Sequence, residues 1–151
     1  LFVQKLILNK IVTSSVLDVI KLIMDNIIIT ADKDTPYFPS VTFDAEKGEC
    51  TIAGESYMED CYKFYTPLID WLTEYCNTHT AIVFNFKLYY FNTQSSRMVL
   101  KIIEVLMHFK EKGGNPEINW FYYESDPDMI DEVEDFKRES GFEINLVAIN
   151  G

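Results

Sequence analysis

The most informative chemistry in the sequence lies in a run of amide and hydroxyl side chains, Asn92-Thr93-Gln94-Ser95-Ser96. The run follows a long apolar segment typical of a β-strand and precedes a helical pattern, so it marks a strand-to-helix junction. Free amides at a helix N-terminus, beside the carboxyl end of a central strand, form a favourable location for an anion or a phosphate. Capping of the helix is the simpler interpretation, and it alone would explain Asn92 or Thr93.

A phosphoryl group on Thr93 would suit this junction. The positive end of the helix dipole would tolerate its charge of about −2, and an exposed interaction surface would gain that charge. The domain would not need to unfold to be switched. The functional hypothesis is therefore phosphorylation of Thr93, with Asn92, Gln94, Ser95 and Ser96 as the surrounding partner or switch region.

The sequence lacks the common motifs for nucleotide binding and for nucleophilic catalysis. None of the six glycines falls in a GxGxxG or GxxxxGK[ST] motif, so no phosphate-cradling loop of either kind is predicted. The segment Gly54-Glu55-Ser56-Tyr57 lacks the second glycine of a nucleophile elbow, and Ser56 is interpreted as a turn or cap residue. We predict no catalytic residue, no cofactor and no enzymatic activity.

An acidic segment and two histidines are the candidates for a metal site. The acidic side chains lack the spacing of a calcium loop, and acids of this kind cluster in the first turns and on the solvated face of a helix. We expect a solvated face that can serve a basic partner, formed by Asp126, Asp128, Asp131, Glu132, Glu134 and Asp135. His79 and His108 are far apart in sequence and are predicted to be surface or cap residues. No metal is expected.

The composition bounds the class of protein. A chain of 151 residues with 48% apolar and 15% aromatic residues predicts one globular domain. Its net charge of −11 would repel nucleic acid and anionic membrane surfaces. Cys50, Cys61 and Cys76 are odd in number and lack a CxxC spacing, which favours reduced cysteines in a cytoplasmic protein.

The first 23 residues are predicted to be an extension that precedes the domain of residues 24–151. They are apolar, but charged and hydroxyl residues interrupt them, so no membrane span is predicted. Met24 is followed directly by a strand-like start, and we expect the working protein to begin there. The alternative is an amphipathic helix that docks on the domain or on a partner.

Periodicity predicts the strands. After a strand at Ile27 to Thr30, the segments 40–44 and 49–53 read as a hairpin that Gly54 closes. Ala81 to Phe91 is a long strand with one buried side, formed by Ile82, Phe84, Phe86, Leu88 and Tyr90. The same asymmetry recurs in 118–122 and in 142–148. It predicts a sheet covered by helices on one face and more open on the other.

Three helices follow from apolar residues at helical spacing. The first lies between Glu59 and Asn77, where Pro67 either kinks the helix or marks its true first turn. The second runs from about Gln94 to Lys112, and the third follows Asp126-Pro127 and ends at Gly141. The predicted order is β-β-β-α-β-α-β-α-β with right-handed crossovers. The fold class is α/β, a single sheet of about five to six strands with three helices mainly on one face.

Several separated motifs resemble the SiaC family of regulatory phosphoproteins, from about Ile27 to Phe142. In this order and spacing they are fairly specific. They are Thr35-Pro36, Gly54-Glu-Ser-Tyr-Met-Glu59, Phe64-Tyr-Thr-Pro67 with Trp71, Tyr90-Phe-Asn-Thr93 with Ser95-Ser96, Trp120-Phe-Tyr-Tyr123 and Glu134-Asp-Phe136. The sequence departs from the family pattern at Met58, Gln94 and Arg97.

The resemblance implies a fold like that of the anti-sigma factor antagonists (STAS) and a function in binding proteins. In the best understood system of the family, the unphosphorylated form activates a diguanylate cyclase and raises cyclic diguanylate. A serine/threonine kinase phosphorylates a threonine in an Asn-Thr dipeptide, which here is Asn92-Thr93, and a phosphatase reverses this. The resemblance thus implies a non-catalytic bacterial signalling adaptor, with these three proteins as partners.

Two other functions remain open from the residues themselves. A small-molecule or nucleotide sensor could use the same helix N-terminus near Thr93. An enzyme that uses the acidic segment would require a metal-dependent activity that is lost on mutation of Asp126 or Asp128.

Overall fold

The structure, a computed structural model, describes residues 24–151 and, before them, only Gln4 and Val16. The predicted extension of residues 1–23 and its proposed start at Met24 otherwise lie outside the described residues. Within the described part of the chain, no helix is both long enough and apolar enough to cross a membrane.

A six-stranded sheet forms the centre of the domain, and its strands lie side by side in the order of the sequence. The first three strands pair antiparallel and the last four pair parallel. The elements are β1 (Ile27–Ile29), β2 (Ser40–Asp44), β3 (Glu49–Ser56), α1 (Cys61–Thr78), β4 (Ala81–Phe91), α2 (Thr93–Glu111), β5 (Asn115–Tyr123), α3 (Asp128–Ser140) and β6 (Asn145–Ile149). The predicted order and fold class are confirmed.

The strand order explains why one face of the sheet carries the helices. Each crossover from β3 to β6 connects neighbouring strands and moves in the same direction across the sheet. With the usual right-handed crossover, α1, α2 and α3 all pack on the same face. Their buried side chains join those of the strands in one core, which includes Phe43, Phe84, Phe86 and Trp120. We call the other side the open face.

The helix boundaries follow from local signals. Asp60 caps α1 by accepting the Lys63 N–H at 3.0 Å, so Pro67 lies inside the helix and does not mark its first turn. Asn92 caps α2, one residue before Thr93 begins it. Gly141 ends α3 in the left-handed conformation (φ 71°), which costs glycine less than any residue with a Cβ.

Three strand predictions need correction. The last strand begins at Asn145, so residues 142–144 of the predicted segment 142–148 precede it. Gly54 does not close the hairpin strand, because β3 continues to Ser56. Tyr90 does not share the buried side of β4, since its side chain is 53% exposed. The cause is a register shift: Leu88 pairs with Gly54 but Tyr90 pairs with Glu55, so Tyr89 is an extra residue and the strand bulges. The bulge resets the alternation, and Phe91 returns to the core side against Trp120.

A row of asparagines crosses the open face in register. Asn85, Asn119 and Asn145 pair across β4, β5 and β6. The Asn145 amide donates to Asn119 at 3.0 Å, the Asn119 amide donates to Asn85 at 3.1 Å, and the Asn85 amide donates to Glu49 at 3.0 Å. Asn85, which is only 7% exposed, has partners on both sides and therefore links the row.

Replacing Asn85 by alanine should lower the free energy of unfolding by roughly 1–3 kcal/mol, because Asn119 and Glu49 both lose a partner at a nearly buried position. Asn145→Ala is the matched control at the exposed end of the row, and it should cost less than about 1 kcal/mol. Urea denaturation of both variants measures the difference. Equal losses would show that the row does not depend on its buried member.

Candidate functional site

The start of α2 is fixed to the end of β3 by backbone and cap hydrogen bonds. The Asn92 N–H donates to the Ser56 carbonyl at 3.1 Å, which carries the pairing of β3 and β4 one residue past the strand end. The Asn92 side chain accepts the Ser95 N–H at 2.8 Å and satisfies one of the free amides of the first turn. Thr93 therefore begins the helix at a fixed position above the end of the sheet.

A cluster of buried hydroxyl and thiol groups lies beneath this junction, and we call it the hydroxyl cluster: Ser56, Cys61, Tyr65 and Ser95. The Ser56 hydroxyl shares a hydrogen bond with the Tyr65 hydroxyl at 2.7 Å and donates to the Ser95 hydroxyl at 2.8 Å. The Cys61 thiol contacts the Ser95 hydroxyl at 3.2 Å. The cluster joins the end of β3, the first turns of α1 and the first turn of α2.

Burial determines the chemistry of the cluster. All four side chains are at most 1% exposed. Burial raises the pKa of Tyr65 well above its usual range, although the hydrogen bond with Ser56 opposes this shift. The phenol therefore stays protonated and uncharged within the cluster. A buried hydroxyl without a partner costs about 1–3 kcal/mol, so the three elements are held in one relative arrangement.

Sequence reasoning missed this cluster as a unit. The sequence predicts a turn or cap residue at Ser56, but Ser56 is the last residue of β3 and lies fully buried. The alternation of β3 contains the missing signal: Ser56 has the same parity as the buried Cys50 and Ile52, and so its side chain points into the core. Tyr65 stood in the apolar stripe of α1, where its hydroxyl needs a buried partner.

The structure divides the predicted switch region into two groups. Thr93 and Gln94 are exposed and Ser96 is half-buried, on the outer side of the first turn of α2. Ser95 is fully buried in the hydroxyl cluster and Asn92 is engaged as the cap. Only the first group can be reached from solvent without a change of structure.

The other candidates for chemistry are spread over the surface. The acidic segment begins in the turn before α3, and Asp128 and Asp131 occupy the first turn of that helix on its exposed side. His108 lies near the C-terminal end of α2, remote from Thr93. Among the described residues, no three histidine, cysteine or acidic side chains come together in a way that could hold a metal ion.

Fold and site together define a class: an α/β domain with an exposed threonine at the first position of a helix that a buried cluster holds in place. Residues 31–149 match the sequence model of the SiaC family regulatory phosphoproteins. This chain belongs to the SiaC family.

Individual proteins are also similar to this chain. The chain is 22% identical over 111 residues to the uncharacterized protein PA14_02130 of Pseudomonas aeruginosa (strain UCBPP-PA14), and the match covers 73% of this chain and 88% of that protein. The structure is similar to that of SiaC of Pseudomonas aeruginosa, with a TM-score of 0.75 and 21% identity over 83% of this chain and 100% of the other.

A third similarity is to a crystal structure of the diguanylate cyclase SiaD in complex with its activator SiaC, from the same organism. The TM-score is 0.76 and the identity is 21%, over 82% of this chain and 99% of the matched chain. At this level of identity the structural matches establish a shared fold.

Ser95→Ala should lower the free energy of unfolding by roughly 1–3 kcal/mol, because Ser56 loses its acceptor in a buried cluster. The neighbouring Ser96 provides the control. Its hydroxyl donates to the Thr93 carbonyl of its own helix at 2.8 Å, so Ser96→Ala should change the free energy of unfolding by less than about 0.5 kcal/mol. Urea denaturation of the two variants tests the difference. If Ser95→Ala were as mild as Ser96→Ala, the cluster would not hold the junction.

Proposed function

We propose that this chain is a non-catalytic, cytoplasmic signalling adaptor that binds and regulates a partner protein, such as a diguanylate cyclase. Reversible phosphorylation of Thr93 by a serine/threonine kinase and a phosphatase switches it between binding states. The observation that carries the proposal is the exposed Thr93 side chain at the first position of α2, in a chain that belongs to a family of regulatory phosphoproteins.

The electrostatics of the first turn of α2 suit a phosphoryl group. The turn contains no acidic side chain, so the added charge of about −2 meets the positive end of the helix dipole without a nearby carboxylate in that turn. Arg97 is exposed one helical turn further along. A negative group followed four residues later by a positive one is the favourable orientation for such a pair on a helix.

The packing around Thr93 allows the charge to change without a change of fold. Its backbone carbonyl accepts the Ser96 hydroxyl, but within the described residues its side chain makes no hydrogen bond that a phosphoryl group would displace. The hydroxyl cluster beneath it uses Ser95 and not Thr93. Phosphorylation would therefore alter the surface that a partner meets while the junction below stays the same.

The choice of partner follows the relatives. SiaC of Pseudomonas aeruginosa is the activator of the diguanylate cyclase SiaD with which it was crystallised. The matched chain and this one share a fold over nearly the full length of that SiaC. A cyclase of the same class is accordingly the partner that we propose for this chain.

Thr93→Ala should abolish phosphorylation of the purified chain by an extract of the native host supplied with ATP. The wild type should gain a single phosphoryl group, and phosphopeptide mapping across residues 89–101 should locate it on Thr93. The variant should remain folded, since an exposed side chain in a helix is replaced by a strong helix former. Intact-mass spectrometry measures the modification.

Two variants control this experiment. Thr93→Ser retains a hydroxyl at the same position and should still accept phosphate, whereas Ser96→Ala removes a neighbouring hydroxyl and should leave phosphorylation unchanged. Phosphate on Ser96 with none on Thr93 would contradict the proposal. Consistent lack of phosphate on the wild type, when the kinase is present, would leave Thr93 as a helix residue and favour the ligand-sensor hypothesis.

A further inference from the structure

The exposed tyrosines are unevenly distributed over the molecule. All nine tyrosines lie in the described residues, and six of them are exposed. By topology these six gather at the edge of the sheet where β3, β4 and β5 end and β2 begins. They are Tyr37, Tyr57, Tyr62, Tyr89, Tyr90 and Tyr123. Thr93 begins α2 at the same edge.

Five of these tyrosines form two groups of contacting rings that meet in sequence at Tyr89 and Tyr90, and we call them together the tyrosine rim: Tyr37, Tyr57, Tyr89, Tyr90 and Tyr123. Tyr37 meets Tyr57 edge-on with ring centres 6.2 Å apart, and Tyr57 meets Tyr90 at 5.6 Å. Tyr89, the extra residue of the bulge, contacts Tyr123 at 6.3 Å. Single exposed aromatic residues are ordinary, but a contiguous exposed cluster marks an interaction surface.

The loop before β2 is held in place, and it presents one end of the rim. The Asp32 carboxylate accepts the Thr35 N–H at 2.8 Å and the Thr35 hydroxyl at 2.9 Å. The Tyr57 N–H donates to the Tyr37 carbonyl at 3.1 Å and ties this loop to the end of β3. A surface fixed in this way loses little conformational freedom when it binds.

An aromatic groove of about 510 Å³ adjoins the rim, with Tyr37 common to both. Phe38 and Phe64 contact each other at 5.3 Å in its wall. Its lining consists of Tyr37, Phe38, Met58, Glu59, Asp60, Lys63 and Phe64. The groove thus combines an apolar wall with two carboxylates and a single ammonium group.

The charges of the groove and the rim indicate which kind of partner side chain can bind there. The two carboxylates of the groove outnumber the one cation, and Glu55 pairs with Tyr90 in the rim. Burial, and after it the negative charge of Glu55, raises the pKa of Tyr89. The whole chain carries a net charge of −11. A long apolar stem with a cationic head is complementary to this surface.

We propose that the tyrosine rim and the aromatic groove bind an arginine-bearing segment of the partner protein. A guanidinium group stacks on aromatic faces and pairs with carboxylates in a planar geometry, which an ammonium group cannot do. The inference rests on the proposed function only in that it requires a protein partner, and it concerns the unphosphorylated chain. Tyr90 lies three residues before Thr93, so a segment seated on the rim lies beside the phosphorylation site.

Site-specific photocrosslinking in the native host tests the assignment. Tyr57→p-benzoylphenylalanine and Tyr90→p-benzoylphenylalanine, in the full chain carrying Thr93→Ala, place the crosslinker on the rim. His108→p-benzoylphenylalanine is the control on an exposed ring at the far end of α2. The rim positions should crosslink one protein through a peptide that contains arginine, and position 108 should not.

A synthetic peptide of the crosslinked segment then provides the quantitative test by fluorescence anisotropy. Tyr57→Ala and Tyr90→Ala should each weaken its binding at least about tenfold, as should replacement of its arginine by alanine. Ile28→Ala removes an exposed apolar side chain from the edge strand β1, outside the residues that form the rim and line the groove, and should change binding less than about twofold.

The possible failures are distinguishable. Crosslinks at position 108 alone, or a crosslinked segment without arginine, would overturn the rim as the binding surface and leave the adaptor function intact. Equal affinity of the peptide for the tyrosine variants and for the wild-type chain would also overturn the rim as the binding surface, and it would leave the adaptor function intact. No crosslinked protein at any of the three positions would overturn the rim and would count against the adaptor function as well.

Discussion

Right-handed crossovers between neighbouring parallel strands determine the layout of this domain. Because every crossover from β3 to β6 moves the chain by one strand in the same direction, all three helices share one face. The carboxyl ends of β3, β4 and β5 then lie along a single edge, next to the N-termini of the helices that follow. Segments far apart in sequence meet at that edge, and the open face remains polar, crossed by the asparagine row.

The hydroxyl cluster uses this convergence to hold the junction of β4 and α2. Ser56 comes from the end of β3, Cys61 and Tyr65 from α1, and Ser95 from α2. Each hydrogen bond contributes only about 1 kcal/mol to the free energy of unfolding, but a buried hydroxyl left without a partner costs more. The cluster therefore adds little stability, yet it strongly disfavours other arrangements of the three elements. Ser56 and Tyr65, each within one of the motifs that resemble the family, are explained by contacts beneath Thr93.

The residues that support the start of α2 are therefore different from those that face solvent there. Ser95 and Asn92 hold the start of α2 from below, while Thr93 and Gln94 face solvent. A negative charge added to Thr93, as we propose, would change the surface next to Tyr90 and would touch none of the buried hydrogen bonds of the hydroxyl cluster. An acidic chain with such a rim suits a basic and apolar protein segment better than the phosphate backbone of a nucleic acid. Aromatic rings and carboxylates can recognise such a segment, whereas nucleic-acid binding by counterion release requires cationic side chains.

The element order, the one-sided sheet and the strand-to-helix junction at Asn92-Thr93 can be predicted from the sequence, because apolar periodicity, glycine stops and cap residues are local signals. The hydrogen-bond partners of the buried Ser56, the exposure of Tyr90 and the support of the junction by Ser95 follow from contacts between distant segments. The burial of Ser56 depends on the unbroken alternation of β3 past Gly54, and the exposure of Tyr90 depends on a register shift between two strands. The parity of a strand residue is lost at a bulge, and a bulge is set by the pairing of distant segments.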